Sequence, residues 1–240
     1  MTTTTITLTT TTTVTVTTTT TSVTTTTTTV VCGSSCDTQT WLDSTDLLAQ
    51  WQFDNDLIES VSNTNTPSEQ SPTYVTGYIR KGLLFDSNVN QSVISSPVAL
   101  TSSSSFTFDA WIYPTGFNNP EDHTIVGLCP LFTHYECLYL TIRFDNGIYA
   151  LHFGLYGTEL TGTTPISLNE WIHVAFVLEV NSLTQSIYLN GKLEATQTAS
   201  GPFKGNADSV TIGNVPALNS GGGSATNYFQ VIKQLFFRTL

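Results

Sequence analysis

The stretch Ser105-Phe-Thr-Phe-Asp-Ala-Trp-Ile-Tyr113 decides the fold. Side chains of an extended strand alternate between its two faces, so Phe106, Phe108, Ala110 and Ile112 point one way. Thr107, Asp109, Trp111 and Tyr113 point the other. Trp171–Val180 repeats the design. Ile172, Val174, Phe176, Leu178 and Val180 make an apolar face, and Trp171, His173, Ala175, Val177 and Glu179 a mixed one. Two strands, each with one strongly apolar face, are what the core of a two-sheet sandwich needs.

Working outward, two Asn-Gly pairs mark hairpins, because both residues tolerate positive φ. Asn146-Gly147 separates strands predicted over 138–144 and 148–153, and Asn190-Gly191 separates 185–189 from 192–195. Further strands are predicted over 47–53, 73–79, 82–86, 92–100, 210–213 and 228–237. That makes about twelve short strands with turn residues between them and no helical period. The expectation is an all-β fold: a two-sheet antiparallel β-sandwich, or jelly roll, over residues 47–240.

The chain before it has a different composition. Residues 2–29 hold 22 threonines. Such a tract buries no core, so residues 1–31 are expected to be a disordered, O-glycosylated, mucin-like tail. The period-two runs around Ile6 and Leu8 and around Val14 and Val16 leave strand formation or aggregation as the alternative. Residues 32–46 form a junction carrying Cys32 and Cys36. The 240 residues carry a net charge of −11 with only seven Lys and Arg. Phosphate binding needs a basic face, so nucleic acid is not an expected partner. Anionic membrane surfaces are disfavoured for the same reason. No run approaches the ~18 apolar residues of a transmembrane segment. No secretory signal follows Met1. An extracellular location therefore implies that the chain is a fragment with its N-terminus further upstream.

The four cysteines allow three disulfide connectivities. Proximity favours Cys32–Cys36 and Cys129–Cys137, with four free thiols in a reducing compartment as the alternative. His123, Cys129, His134 and Cys137 are close in sequence, but their spacing matches no standard zinc site.

The strand segments, in order, resemble the laminin-G-like and pentraxin-like branch of the concanavalin A-like lectin and glucanase superfamily. The matching pieces are Gln50-Trp-Gln-Phe-Asp54, Gly82-Leu-Leu-Phe-Asp86, Phe106-Thr-Phe-Asp-Ala-Trp-Ile-Tyr-Pro114, Trp171-Ile-His-Val-Ala-Phe-Val177, Ile187-Tyr-Leu-Asn-Gly-Lys-Leu193 and Thr211-Ile-Gly213. They cover about residues 45–240. Pentraxins join their two central strands by a disulfide, where this chain has Asp109 and Ala175. Many relatives carry an acid in the last strand, where this chain has Lys233.

The resemblance implies an extracellular or cell-surface, non-catalytic binding module whose partner is a glycan or an extracellular protein. The alternatives are a structural spacer of a mucin-like or matrix glycoprotein and, third, a divergent glycosidase. Glucanases of the superfamily place paired carboxylates on one strand as Glu-x-Asp-x-Glu, and no such run occurs here. Relatives often hold Ca²⁺ at the rim of the sandwich. Asp86, Asn88 and Asn90 alternate just after a predicted strand, and oxygen side chains so spaced suit a hard cation. They are equally good turn formers. Asn90-Gln-Ser92 is also the one N-glycosylation sequon, and a glycan and a cation exclude each other at Asn90. Trp171, His173 and His152 are read as packing and hydrogen-bonding within sheets.

Overall fold

The structure, a computed structural model, describes residues 46–239 except 67, 69–70, 86–91, 96–97, 99, 101–102, 118–121, 129–135, 156, 206–209 and 215–230. Its compact unit runs over Ser44–Leu240. The threonine tract, Cys32, Cys36, Cys129, Asp86, Asn88 and Asn90 lie outside the described residues.

Among the described residues there are sixteen strands: β1 Leu47–Trp51, β2 Ile58–Glu59, β3 Thr64–Asn65, β4 Thr73–Thr76, β5 Lys81–Leu84, β6 Val93–Ile94, β7 Phe106–Tyr113, β8 His123–Leu128, β9 Leu138–Asp145, β10 Ile148–Leu155, β11 Thr158–Thr161, β12 Ile172–Glu179, β13 Thr184–Leu189, β14 Lys192–Thr198, β15 Thr211–Ile212 and β16 Val231–Thr239. They form two antiparallel sheets. The ten-stranded sheet runs β14-β13-β12-β7-β16-β1-β2-β3, with the β4–β5 hairpin joined to it through β16. The six-stranded sheet runs β11-β10-β9-β8-β15-β6. The expected β-sandwich is what the chain forms.

The core lies between the sheets, built from the faces that alternation assigned. Phe106, Phe108, Ala110 and Ile112 of β7, and Ile172, Val174, Phe176 and Leu178 of β12, are buried in it. Leu138, Leu140 and Ile142 of β9 and Leu151, Phe153 and Leu155 of β10 meet them from the other sheet. Phe153 joins the layers, with its ring 5.9 Å from Phe176 in a T-shaped contact and 6.4 Å from Phe106. Asp109 and Ala175, the positions bridged in pentraxins, stand directly opposite one another. Lys233 falls at a register shift between Ile232 and Gln234, where β16 bulges against β7.

The turns follow their residue chemistry. Asn146 and Gly147 have φ of 48° and 86°, and Asn190 and Gly191 have 49° and 75°, the left-handed pairs a tight hairpin needs. Elsewhere the strands depart from the sequence reading. β8 and β11 were not anticipated. Among the described residues, the predicted strand over 92–100 is Val93–Ile94, and that over 73–79 ends at Thr76.

Candidate functional site

Two clusters outside the core carry the chemistry. The first lies on the outer face of the ten-stranded sheet. Register sets Trp111 beside His173. One pair further along, Tyr113 and Trp171 meet with ring centroids 5.3 Å apart. Trp111 and His173 are also 5.3 Å apart. Onto this row the β4–β5 turn lays Tyr78, stacked on Trp111 at 4.1 Å and 9° and edge-on to Trp171 at 6.2 Å.

The turn is fixed locally. Gly77 N–H donates to Arg80 C=O at 2.9 Å, and Arg80 takes a φ of 57°. Asp54 accepts from Lys81 N–H at 3.1 Å and from the Arg80 guanidinium at 3.3 Å. Tyr78 keeps 52% and its neighbour Ile79 55% of their surface exposed, while Trp111, Tyr113, Trp171 and His173 are half-buried. Polar groups adjoin the rings. His173 Nε2 lies 3.4 Å from Asp109 Oδ1. The His173 backbone is clamped by Asn190, whose Oδ1 accepts its N–H at 2.9 Å. The result is a partly exposed aromatic platform with hydrogen-bonding groups along one side. Platforms of this kind bind flat ligands that have one apolar face and polar edges.

The second cluster lies on the outer face of the six-stranded sheet. Arg143 donates to both oxygens of Asp122, Nε to Oδ1 at 2.7 Å and Nη2 to Oδ2 at 2.6 Å. Its Nη1 donates to Glu159 Oε2 at 2.9 Å. The Tyr139 hydroxyl donates to the other oxygen of Glu159. The guanidinium carbon sits 5.6 Å over the Tyr139 ring, and that ring stacks on His152 at 5.7 Å. Gly154 lies directly beneath: a Cβ there would fall 2.0 Å from Tyr139 Cε2.

These contacts set the protonation states. Burial, and next the hydrogen bond to Glu159, push the Tyr139 phenol well above its usual range. Burial opposes charge on Arg143, but the Asp122 hydrogen bonds and charge outweigh it and hold the guanidinium protonated. Burial, and next the Arg143 charge, drive His152 far down, so its imidazole is neutral. The 3.6 Å approach of His152 Nε2 to Glu159 is therefore neither an ion pair nor a hydrogen bond.

The sequence-derived site residues fare differently. Trp171 and His173, assigned to packing, belong to the platform, and His152 belongs to the second cluster. Cys137 is buried and disulfide-bonded, with its partner outside the described residues. Among the described residues no group of three His, Cys, Asp or Glu side chains is arranged to hold a metal ion. Among them, too, no helix is long and apolar enough to cross a membrane.

Two antiparallel sheets with a shared apolar core and side-chain clusters on both outer faces define a lectin-like jelly-roll domain. The chain belongs to the concanavalin A-like lectin/glucanases superfamily, whose laminin-G type model matches residues 86–230. No curated protein matches the sequence. Among solved structures it is similar to domain 4 of AbnA, an extracellular arabinanase of family GH43 from Geobacillus stearothermophilus, solved in complex with arabinotriose. That match has 18% identity and a TM-score of 0.63, and covers 81% of this chain and 92% of that one. It is similar also to the binding domain of botulinum neurotoxin serotype D/C, at 16% identity and TM-score 0.54 over 82% of this chain and 48% of that one. A third is the enzymatically active domain of tailspike protein 2 of bacteriophage CBA120, at 17% identity and TM-score 0.54 over 72% of this chain and 28% of that one. At these identities the likeness is one of fold.

Proposed function

We propose that the chain is a non-catalytic glycan-binding module working in an extracellular or cell-surface setting, with the aromatic platform as its binding face. One observation carries the reading: Tyr78, stacked on Trp111, presents a half-exposed ring beside Trp171 and the His173–Asp109 pair. The C–H face of a sugar ring stacks on such a surface while its hydroxyls reach the polar edge. The arabinotriose bound to domain 4 of AbnA gives the reading a precedent in a domain of the same fold.

The second cluster supports the non-catalytic part. Glycoside hydrolysis needs one carboxylic acid to give a proton and one carboxylate free to attack or to activate water. Asp122 and Glu159 are instead both bound by the permanently charged Arg143.

The test is a glycan array probed with the wild-type chain, Tyr78→Ala and Trp171→Ala, with and without chelator. Each ring is expected to be worth about 1 kcal/mol beyond buried area, so each variant should bind roughly fivefold more weakly or worse. Loss of binding in chelator would assign Ca²⁺ a role and bring Asp86, Asn88 and Asn90 into the proposal. A wild-type chain that binds no glycan under either condition overturns the reading and leaves the spacer.

A further inference from the structure

Two hairpin turns of this chain are matched in all but one respect. Strands β9 and β10 are joined by Asn146-Gly147, and β13 and β14 by Asn190-Gly191. Both asparagines lie in the left-handed region, at φ of 48° and 49°. All four residues are exposed, and nothing lies within 4 Å of the Cβ position of either glycine. The two pairs share sequence, backbone conformation and access to water.

The difference is in what holds the asparagine. Asn190 is tied to β12 twice: its N–H donates to His173 C=O at 2.8 Å, and its Oδ1 accepts from His173 N–H at 2.9 Å. Among the described residues, the Asn146 side chain makes no such bond.

This contrast bears on a reaction that the Asn-Gly pair carries within itself. Glycine has no Cβ to shield its amide nitrogen, so that nitrogen is open to approach the carboxamide before it. At Asn146 the Gly147 nitrogen gives its proton to hydroxide and bonds to Cγ. The Cγ–Nδ2 bond breaks, and Nδ2 leaves as ammonia with a proton taken from water. Water then opens the five-membered succinimide at either carbonyl, leaving aspartate or isoaspartate. One water is consumed, one ammonia is released, and nothing is oxidised or reduced.

The first step depends on reach, because the nitrogen and Cγ must come into contact before they bond. A free carboxamide samples that geometry. The Asn190 carboxamide is held toward His173 and must first break a hydrogen bond to do so. The His173 N–H also polarises the Asn190 carbonyl, but polarisation helps only a carbonyl that the nitrogen can reach.

We infer that Asn146 is a site of spontaneous deamidation in the folded protein, and that the clamp on His173 protects Asn190 from the same reaction. Conversion at Asn146 puts a second carboxylate beside Asp145 and, in the isoaspartyl form, adds a methylene to the main chain of the β9–β10 turn. Conversion at Asn190 would instead lengthen the turn that clamps His173. The protected pair is thus the one that supports the aromatic platform, and the inference holds whether or not that platform binds a glycan.

The test incubates the full chain in mildly alkaline buffer, well below its unfolding temperature and again in concentrated denaturant. Peptide mass spectrometry, with fragmentation that separates aspartate from isoaspartate, follows both pairs over time. One ordinary hydrogen bond corresponds to roughly fivefold, so Asn146 should convert at least about fivefold faster than Asn190 in the folded chain. In denaturant, where no clamp exists, the two rates should converge to within about twofold, less than the effect of that one bond. Equal rates in the folded chain, or a faster Asn190, overturn the protection. A gap that persists in denaturant overturns it too, because it would belong to the neighbouring sequence. An Asn146 that converts in denaturant but stays an amide in the folded chain overturns the site itself.

Discussion

At the scale of single residues, a buried carboxylate acts as a structural fastener. Glu59 of β2 is 5% exposed. It accepts from the backbone N–H groups of Gln50 at 2.8 Å, Val61 at 2.8 Å and Ser62 at 2.7 Å, and from the Ser62 hydroxyl. It thereby ties β1 to the turn that leads toward β3. Burial alone would raise its pKa, but these donors outweigh burial and hold the carboxyl below its ordinary value. A depressed pKa contributes stability that is present above the unfolded value, near 4.3, and lost as pH falls through the folded one. Glu59→Gln keeps the shape but turns an amide N–H₂ toward donors. It should cost about 2 kcal/mol at pH 7, and the difference from wild type should shrink toward pH 3 as the native carboxyl protonates. Denaturant unfolding at the two pH values measures it, and a gap that is flat or widens in acid would refute the fastener. Nothing in the local sequence disclosed this role, because Ile58-Glu-Ser is too short a segment to show a period.

At the scale of elements, alternation is legible where one face meets the core and the other does not. Strands β7 and β12 are of that kind, and their inward residues were assigned correctly from period two. Strand β8 is the opposite case. His123-Thr-Ile-Val-Gly-Leu128 is buried along its whole length, so there is no polar face to alternate with. Strand β11 is four residues long and opens and closes on Thr, too brief for any period. The platform was half visible. Trp111, Tyr113, Trp171 and His173 were placed on one face, but their exposure is a tertiary property. Tyr78 reaches them from a turn that the sequence reading had merged into a strand. The second cluster was hidden for a similar reason: Tyr139, Arg143, His152 and Glu159 come from three strands and meet only through register.

Register also makes a demand on β10. Gly154 stands opposite Tyr139 on one side and Glu159 on the other. A methyl group there would overlap the Tyr139 ring, so Gly154→Ala must push the ring aside and strain its hydrogen bond to Glu159. The expected cost is about 1–3 kcal/mol, typical of overpacking. Thermal unfolding checks it, with Gly147→Ala as the contrast. Gly147 has open space around its Cβ position and pays only for its φ of 86°. Equal losses in the two variants would show that the tyrosine ring yields freely.

At the scale of the whole molecule, the proposed function assigns structure and recognition to different sides of the ten-stranded sheet. The strands show their larger apolar residues inward, which is why the fold could be read from a single chain. The period also assigns residues to the outer faces, but it does not report which of them meet or stay exposed. This separation can be measured. Phe153 is fully buried and touches rings from the facing sheet, so Phe153→Ala opens a cavity between the layers. It should cost about 3–5 kcal/mol, against the 5–15 kcal/mol that a domain usually holds in total. For a domain of this size that is a fall in Tm on the order of 10 °C. Tyr78→Ala removes a half-exposed ring from the outer face and should move Tm by only a degree or two, since surface substitutions rarely exceed about 0.5 kcal/mol. Glycan affinity should respond in the reverse order at temperatures where both variants remain folded: near wild type for Phe153→Ala and at least about fivefold weaker for Tyr78→Ala. Calorimetry and glycan binding on the two proteins side by side decide it. If Tyr78→Ala unfolds as early as Phe153→Ala, the platform is part of the framework that holds the β4–β5 hairpin, and the binding face must be sought elsewhere.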